Sequence, residues 1–262
     1  MRHFHDRCPR REQGDRLSAV GAGDASRRRR RDGDELGGRG VRAVPEVDGR
    51  AAENVERASL GLALLLYDNP VSGNCYKVRL LLAHLGLPYE RRTMDVVDRS
   101  NRREVLGELN PALRVPTLVL EDGRPLAESG AIIWYLGEGT RFVPDDAYER
   151  AQVLQWMFFE QYDHEPAIAV ARFWLAYSGR PEEFADRLPE RIAAGERALT
   201  AMDRHLDGRR FLVGDALTLA DIALFAYTHV AHEGGFDLEP YPAVRSWVAD
   251  VAAEPGHVPI DA

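Results

Sequence analysis

Cysteine is nearly absent: Cys8 and Cys75 are the two in 262 residues. Two cysteines cannot build a disulfide framework, and the reading is a reducing, cytoplasmic setting. Long apolar runs are missing as well. The longest, Leu60 to Tyr67, has the length of a strand, well short of the roughly 18 residues that cross a bilayer. No membrane partner is expected, and the run lies too far from the N-terminus, without the right flanks, to be a signal peptide. A basic excess is missing too. With 34 basic against 42 acidic side chains the net charge is −8, which argues against a nucleic-acid partner. Lysine is almost missing: Lys77 is the one lysine, so the wealth of arginine reads as a bias of the whole chain. What is present, 45% apolar and 29% charged residues, fits a globular protein with a real core.

The composition divides the chain. Residues 1–60 carry an arginine run, Arg27 to Arg31, scattered glycines and few bulky apolar residues. Such a segment buries too little surface to offset the entropy of ordering, so it is expected to be a disordered, Arg-rich extension. The run reads as a tether for nucleic acid or membrane, as a solvated tail, or as sequence upstream of the true start. Interleaved acids dilute its charge.

From residue 61 the pattern is that of a fold. Residues 62–67 form a continuous apolar run bounded by Asp68-Asn69-Pro70, as in a buried strand. Val78, Leu81, Leu82 and Leu85 follow at helical spacing, with Gly86 as the stop. A strand is expected near 89–94, a helix over 102–109, and two strands at 115–120 and 125–127 around Asp122-Gly123. A helix over 129–136 closes the unit. This βαβ-α-ββα order predicts an α/β domain over 61–138 with a mixed four-stranded sheet. Helical patterns then fill an all-α domain over 145–255. They run from 147 to 177 with a bend near Pro166, from 181 to 205, from the capping pair Thr218 and Asp221 with Leu217 and Ile222 as a hydrophobic staple, and from 242 to 253.

Three motifs stand out: Ser72-Gly-Asn-Cys-Tyr-Lys-Val-Arg79, Asn110-Pro-Ala-Leu-Arg-Val-Pro-Thr-Leu118, and Leu126-Ala-Glu-Ser-Gly-Ala-Ile-Ile133. With the helix start at Thr218 to Asp221, they resemble, in order and spacing, the glutathione transferase superfamily. The likeness is to its serine-type theta, zeta and nu members and covers about 61–255. It implies a thioredoxin-like domain followed by a helical domain. It also implies glutathione as a co-substrate with no other cofactor, a homodimer, and an electrophilic small molecule or a disulfide as the second substrate.

The chemistry follows residue by residue. A free thiol with a pKa of about 8.5 is only slightly ionised at pH 7. Lowering that pKa by two units needs about 2.7 kcal/mol. A helix N-terminus supplies up to about 2 kcal/mol, and a hydrogen bond to a charged group about 1.5–3. Ser72 stands where both can act. By the resemblance it matches the activating serine; otherwise it is an ordinary N-cap. Asn74 matches the asparagine of nu-type enzymes, although Gly73 stands where they have proline. Cys75 is either an inert core thiol or, in Ser72-x-x-Cys75, a remnant of thioredoxin spacing. Pro116 matches the family's cis-proline, and Val115 the residue whose backbone pairs with the cysteinyl part of glutathione. Glu128 and Ser129 match the pair that holds the γ-glutamyl end, with the start of a helix as an anion site. Arg114 faces the glycyl carboxylate or solvent.

Trp156, Tyr162, His164, Arg172 and Trp174 are candidates for the second-substrate pocket, each against a plain packing role. His229 and His232 lack a third ligand, so no metal is expected. Three functions remain: thiol conjugation, nu-type disulfide reduction using Ser72 and Asn74, and a binding protein that keeps the fold without catalysis.

Overall fold

The computed structural model describes residues 64–262, so the expectation for residues 1–60 lies outside the described residues. β1 (Leu64–Asp68), α1 (Gly73–Leu85), β2 (Tyr89–Thr93), α2 (Arg102–Leu106), β3 (Thr117–Val119), β4 (Pro125–Ala127) and α3 (Ser129–Gly137) follow in that order. The sheet runs β2-β1-β3-β4. β1 pairs parallel with β2, placing Leu66 beside Arg91. It pairs antiparallel with β3, placing Leu66 beside Leu118, and Leu118 faces Leu126 on β4. β1 is apolar because it is central, whereas β2, Tyr-Glu-Arg-Arg-Thr, is an exposed edge whose charges suit an edge strand.

α1 begins at the Ser72 cap and ends at Gly86, whose φ of 65° is the left-handed turn that favours glycine. Residues 75–82 are buried without a break, because α1 packs against both α3 and a later helix, α7 (Leu219–Thr228). The α/β architecture read from the sequence is therefore the one observed. Strand and helix ends differ by a few residues, and the helix at 102 stops at Leu106 rather than 109, where turn bonds to Asn110 take over.

The second part is all helical. α4 (Ala147–Phe159) and α5 (Glu165–Arg172) are joined by a π turn at Glu160–His164, and a second π turn at Phe173–Tyr177 follows. This run has no break at Pro166. That proline falls in the first turn of α5, just past the wider turn, where its missing N–H is tolerated. The helix expected from 181 begins instead as a 3₁₀ turn at Pro181–Phe184, and α6 covers Leu188–Leu206. Phe184 stacks on Trp174 with ring centroids 4.8 Å apart, and Pro189 sets a new first turn. In the first turn of α7, buried Asp221 accepts from Thr218 N, Thr218 Oγ1, Leu212 N and Trp247 Nε1. α8 spans Pro242–Ala252. Residues 255–262 then lie back over the first part: Tyr76 donates to the Val258 carbonyl at 2.7 Å and Arg91 to the Ala262 carbonyl at 2.6 Å.

Candidate active site at the start of α1

Three backbone carbonyls precede Ser72, and two buried arginines hold them. Arg79 donates to Asn69 O at 3.1 Å and Pro70 O at 3.0 Å, and Arg172 donates to Val71 O at 2.6 Å. Asp68 neutralises Arg79 at 2.6 Å. Ser72 Oγ accepts from Cys75 N at 3.3 Å, and its own hydrogen has no acceptor among the described residues. The other donors at this helix end are nearly all taken. Ser72 N bonds Asn69 O, and Asn74 N bonds the Tyr227 hydroxyl at 3.2 Å. Gly73 N–H has no partner among the described residues. An anion at the start of α1 would therefore meet one free hydroxyl and one free amide, aligned with the helix dipole.

Gly73, where the nu pattern has proline, is explained by Tyr227. A Cβ at Gly73 would come within 2.5 Å of that ring. Cys75 is fully buried, and burial foremost pushes its thiol up to about 12, so it stays protonated at neutral pH.

The Asn74 carboxamide is engaged in a closed ring of five side chains. Lys77 Nζ donates to Asn74 Oδ1 at 2.8 Å and to Glu160 Oε1 at 2.8 Å. Asn74 Nδ2 donates to Glu165 Oε1 at 2.9 Å. Gln161 Nε2 closes the ring by bridging Glu160 Oε2 and Glu165 Oε2. Ser129 Oγ adds a bond to Asn74 Oδ1 at 3.1 Å and lies 3.5 Å from Lys77 Nζ. Lys77 and Glu160 are each only 1% exposed. Burial raises the Glu160 carboxyl, and the ammonium of Lys77 opposes that shift.

The third motif reaches this ring through Ser129, and the second runs antiparallel to the third, with Thr117 opposite Ala127. The Val115–Pro116 peptide is cis. Val115 lies outside the β3 ladder, and its backbone N–H and C=O have no partner among the described residues. Asn110 Nδ2 braces the loop through Arg114 O at 2.9 Å and Thr117 Oγ1 at 3.0 Å. The Arg114 side chain itself is exposed. Glu128 is exposed with a φ of 68°, a strained conformation for a residue with a Cβ. Ser129, buried, opens α3. Ser72, Asn74, Glu128 and Ser129 thus gather around the facing starts of α1 and α3.

The five second-substrate candidates do not converge. Trp156 packs on Phe159 and His205, and Trp174 on Phe184 with Arg187 over its face. His164 is buried against Thr228 Oγ1 at 2.9 Å, and burial lowers its pKa to about 3. Arg172 faces Val71. Tyr162 is 87% exposed and lines a cleft of about 380 Å³ with Phe159, Arg191 and Arg197, a cleft that shares no residue with the Ser72 site. Among the described residues no cluster of histidine, cysteine or carboxylate side chains suits a metal, and no helix is long and apolar enough to cross a membrane.

Sequence reasoning missed Lys77, Glu160, Glu165 and Tyr227. A signal existed for one of them: Lys77, alone of its kind, stands three residues after Asn74 on the same helix face.

Residues 71–138 match the glutathione S-transferase N-terminal domain family, and residues 167–255 match the C-terminal domain family. The chain belongs to the glutathione S-transferase family. It is 31% identical over 198 residues to glutathione S-transferase 2 of Anopheles gambiae, with 72% of this chain and 91% of that protein covered. The crystal structure of a glutathione S-transferase from Pseudomonas fluorescens superposes with a TM-score of 0.73 at 47% identity, covering 75% of this chain and 98% of that one. A glutathione transferase from Pseudomonas putida, solved with one glutathione disulfide bound per subunit, gives a TM-score of 0.64 at 27% identity, over 74% of this chain and 89% of that one.

Proposed function

We propose that this protein is a glutathione transferase in which Ser72 activates the glutathione thiol for attack on an electrophilic small molecule. The observation that carries the reading is the uncommitted Ser72 hydroxyl beside the Gly73 N–H, both without an acceptor among the described residues, at the start of α1. In this reading the sulfur binds there, loses its proton to water, and is held as thiolate by both donors. A charged hydrogen bond of about 1.5–3 kcal/mol and a dipole term of up to about 2 together supply the shift that neutral-pH chemistry needs. The sulfur lone pair then forms the new bond to the electrophilic atom, whose leaving group or π electrons depart.

Recognition of the tripeptide is assigned to the neighbouring groups. The free backbone of Val115, next to Pro116, pairs with the cysteinyl residue. Glu128 takes the α-ammonium. Ser129 and the first amides of α3 take the α-carboxylate, and Arg114 reaches the glycyl carboxylate. Glutathione is a co-substrate, and no further cofactor enters the scheme. We place the protein in the cytoplasm and as a homodimer. The dimer reading is supported by exposed Tyr135 on α3 and by exposed Tyr148 and Phe158 on α4, which light scattering tests.

The disulfide-reductase reading with Asn74 as activator is weakened by the ring that occupies the Asn74 carboxamide, and Cys75 is too buried to exchange. Conjugation of an aromatic electrophile, measured beside reduction of a small glutathione mixed disulfide, separates the two activities. Calorimetry with glutathione separates both from a protein that has lost the site. Conjugation that falls in Ser72→Ala supports the proposal, and full conjugation in that variant overturns it.

A further inference from the structure

Arg172 sits at the end of α5, in the helical part, yet its guanidinium reaches the loop that carries Ser72. Its NH1 donates to Val71 O at 2.6 Å, its Nε to Glu233 Oε2 at 3.0 Å, and its NH2 to the Tyr177 hydroxyl at 2.9 Å. Tyr177 in turn donates to the same Glu233 oxygen at 2.8 Å. Burial alone would raise the Glu233 carboxyl, but the Tyr177 hydrogen bond and the Arg172 charge outweigh it and hold it below the ordinary range. Arg172 is 4% exposed and Glu233 28%. The turn that bears Glu233 presses close: a Cβ at Gly234 would lie 3.0 Å from Arg172 N. Three donor directions are thus fixed, and one of them ends on the residue before Ser72.

The other carbonyls of the loop, Asn69 O and Pro70 O, are bound by Arg79 from the α/β part itself. Val71 O is the loop carbonyl bound from the helical part. The geometry points to Arg172 as a positioning residue that fixes Val71 and thereby aims the Ser72 hydroxyl at the glutathione sulfur. The inference rests on the reading of Ser72 as thiol activator. Its consequence is that the helical part sets the reactivity of the thiol through one guanidinium, while the groups assigned to the tripeptide stay untouched.

The test measures kcat, KM for glutathione, the pKa of the bound thiol by thiolate absorbance, and the melting temperature. The variants are Arg172→Met, Arg172→Lys and Glu233→Gln, with Ser72→Ala as reference. In Arg172→Met, kcat falls roughly tenfold, which by transition-state arithmetic is a loss of about 1.4 kcal/mol. The thiol pKa rises by about half a unit to one unit, and KM for glutathione stays within about twofold. Arg172→Lys, which keeps the charge but not the fork, recovers part of the loss. Glu233→Gln, at a partly exposed position, shows a smaller shift in the same direction and decides the question should Arg172→Met not fold. A lowered melting temperature with unchanged kcat and thiol pKa makes the clamp purely structural and overturns the inference, provided Ser72→Ala still loses both. Unchanged thiol pKa in Ser72→Ala overturns the reading of Ser72 and the inference with it.

Discussion

Replacing Ser72 by alanine removes two interactions with different readouts. The first is the cap: Ser72 Oγ accepts Cys75 N at 3.3 Å, a long bond, and losing such a cap costs about 0.5–2 kcal/mol of stability. The second is the donor to the thiolate. Losing a hydrogen bond to a charged group costs about 1.5–3 kcal/mol, which lowers kcat by roughly 10- to 150-fold and raises the bound thiol pKa by about 1–2 units. Glutathione affinity measured below the thiol pKa changes little, because the γ-glutamyl and glycyl contacts remain. Ser72→Gly separates the two effects, since glycine at an N-cap costs only a few tenths of a kcal/mol. It should keep nearly full stability yet lose turnover as alanine does. The assay is steady-state conjugation with a thiolate absorbance titration of the saturated complex. If Ser72→Ala retains turnover and thiol pKa while Asn74→Ala loses both, the assignment is wrong and Asn74 is the activator despite its ring.

Glu128→Gly relieves a residue held at a φ of 68°, so urea melts should show stability unchanged or higher, while calorimetry shows much weaker glutathione binding with the saturated thiol pKa unmoved. Lys77→Met leaves buried Glu160 without its cation and should cost about 3–5 kcal/mol in urea unfolding. The double variant Lys77→Met with Glu160→Leu should recover most of that, and a double variant no better than the single refutes the pairing argument. Burial lowers the His164 pKa to about 3, so the folded protein keeps the imidazole neutral while the unfolded chain takes up a proton below about 6.5. That contribution is fully present above about pH 6.5 and is lost as pH falls toward 3, by about 2 kcal/mol at pH 5. His164→Gln should flatten this slope between pH 7 and 5, and an unchanged slope would count against the buried neutral state.

Local sequence determined much of this protein. The apolar run before Asp68, the turn at Asp122-Gly123 and the acid at Asp221 each depend on neighbours a few residues away, so the first strand, the hairpin and the helix start could be read directly. The three motifs singled out Ser72, Val115, Glu128 and Ser129 for the same reason: each stands in a loop or at a helix start whose geometry its own segment creates. Tertiary structure decided what depends on distant partners. Nothing near Lys77 in sequence tells that it meets Glu160, 83 residues on, or that the pair commits the Asn74 amide. Gly73 is glycine because a ring from α7 lies on it. Pro166 leaves its helix unbroken because a π turn precedes it. Arg172, an aromatic-flanked arginine on a helix, reads as part of a substrate pocket, and only the fold turns it toward Val71, 101 residues away. Short-range geometry is encoded where it acts, whereas charge pairing and close approach across helices arise only once burial has brought the elements together.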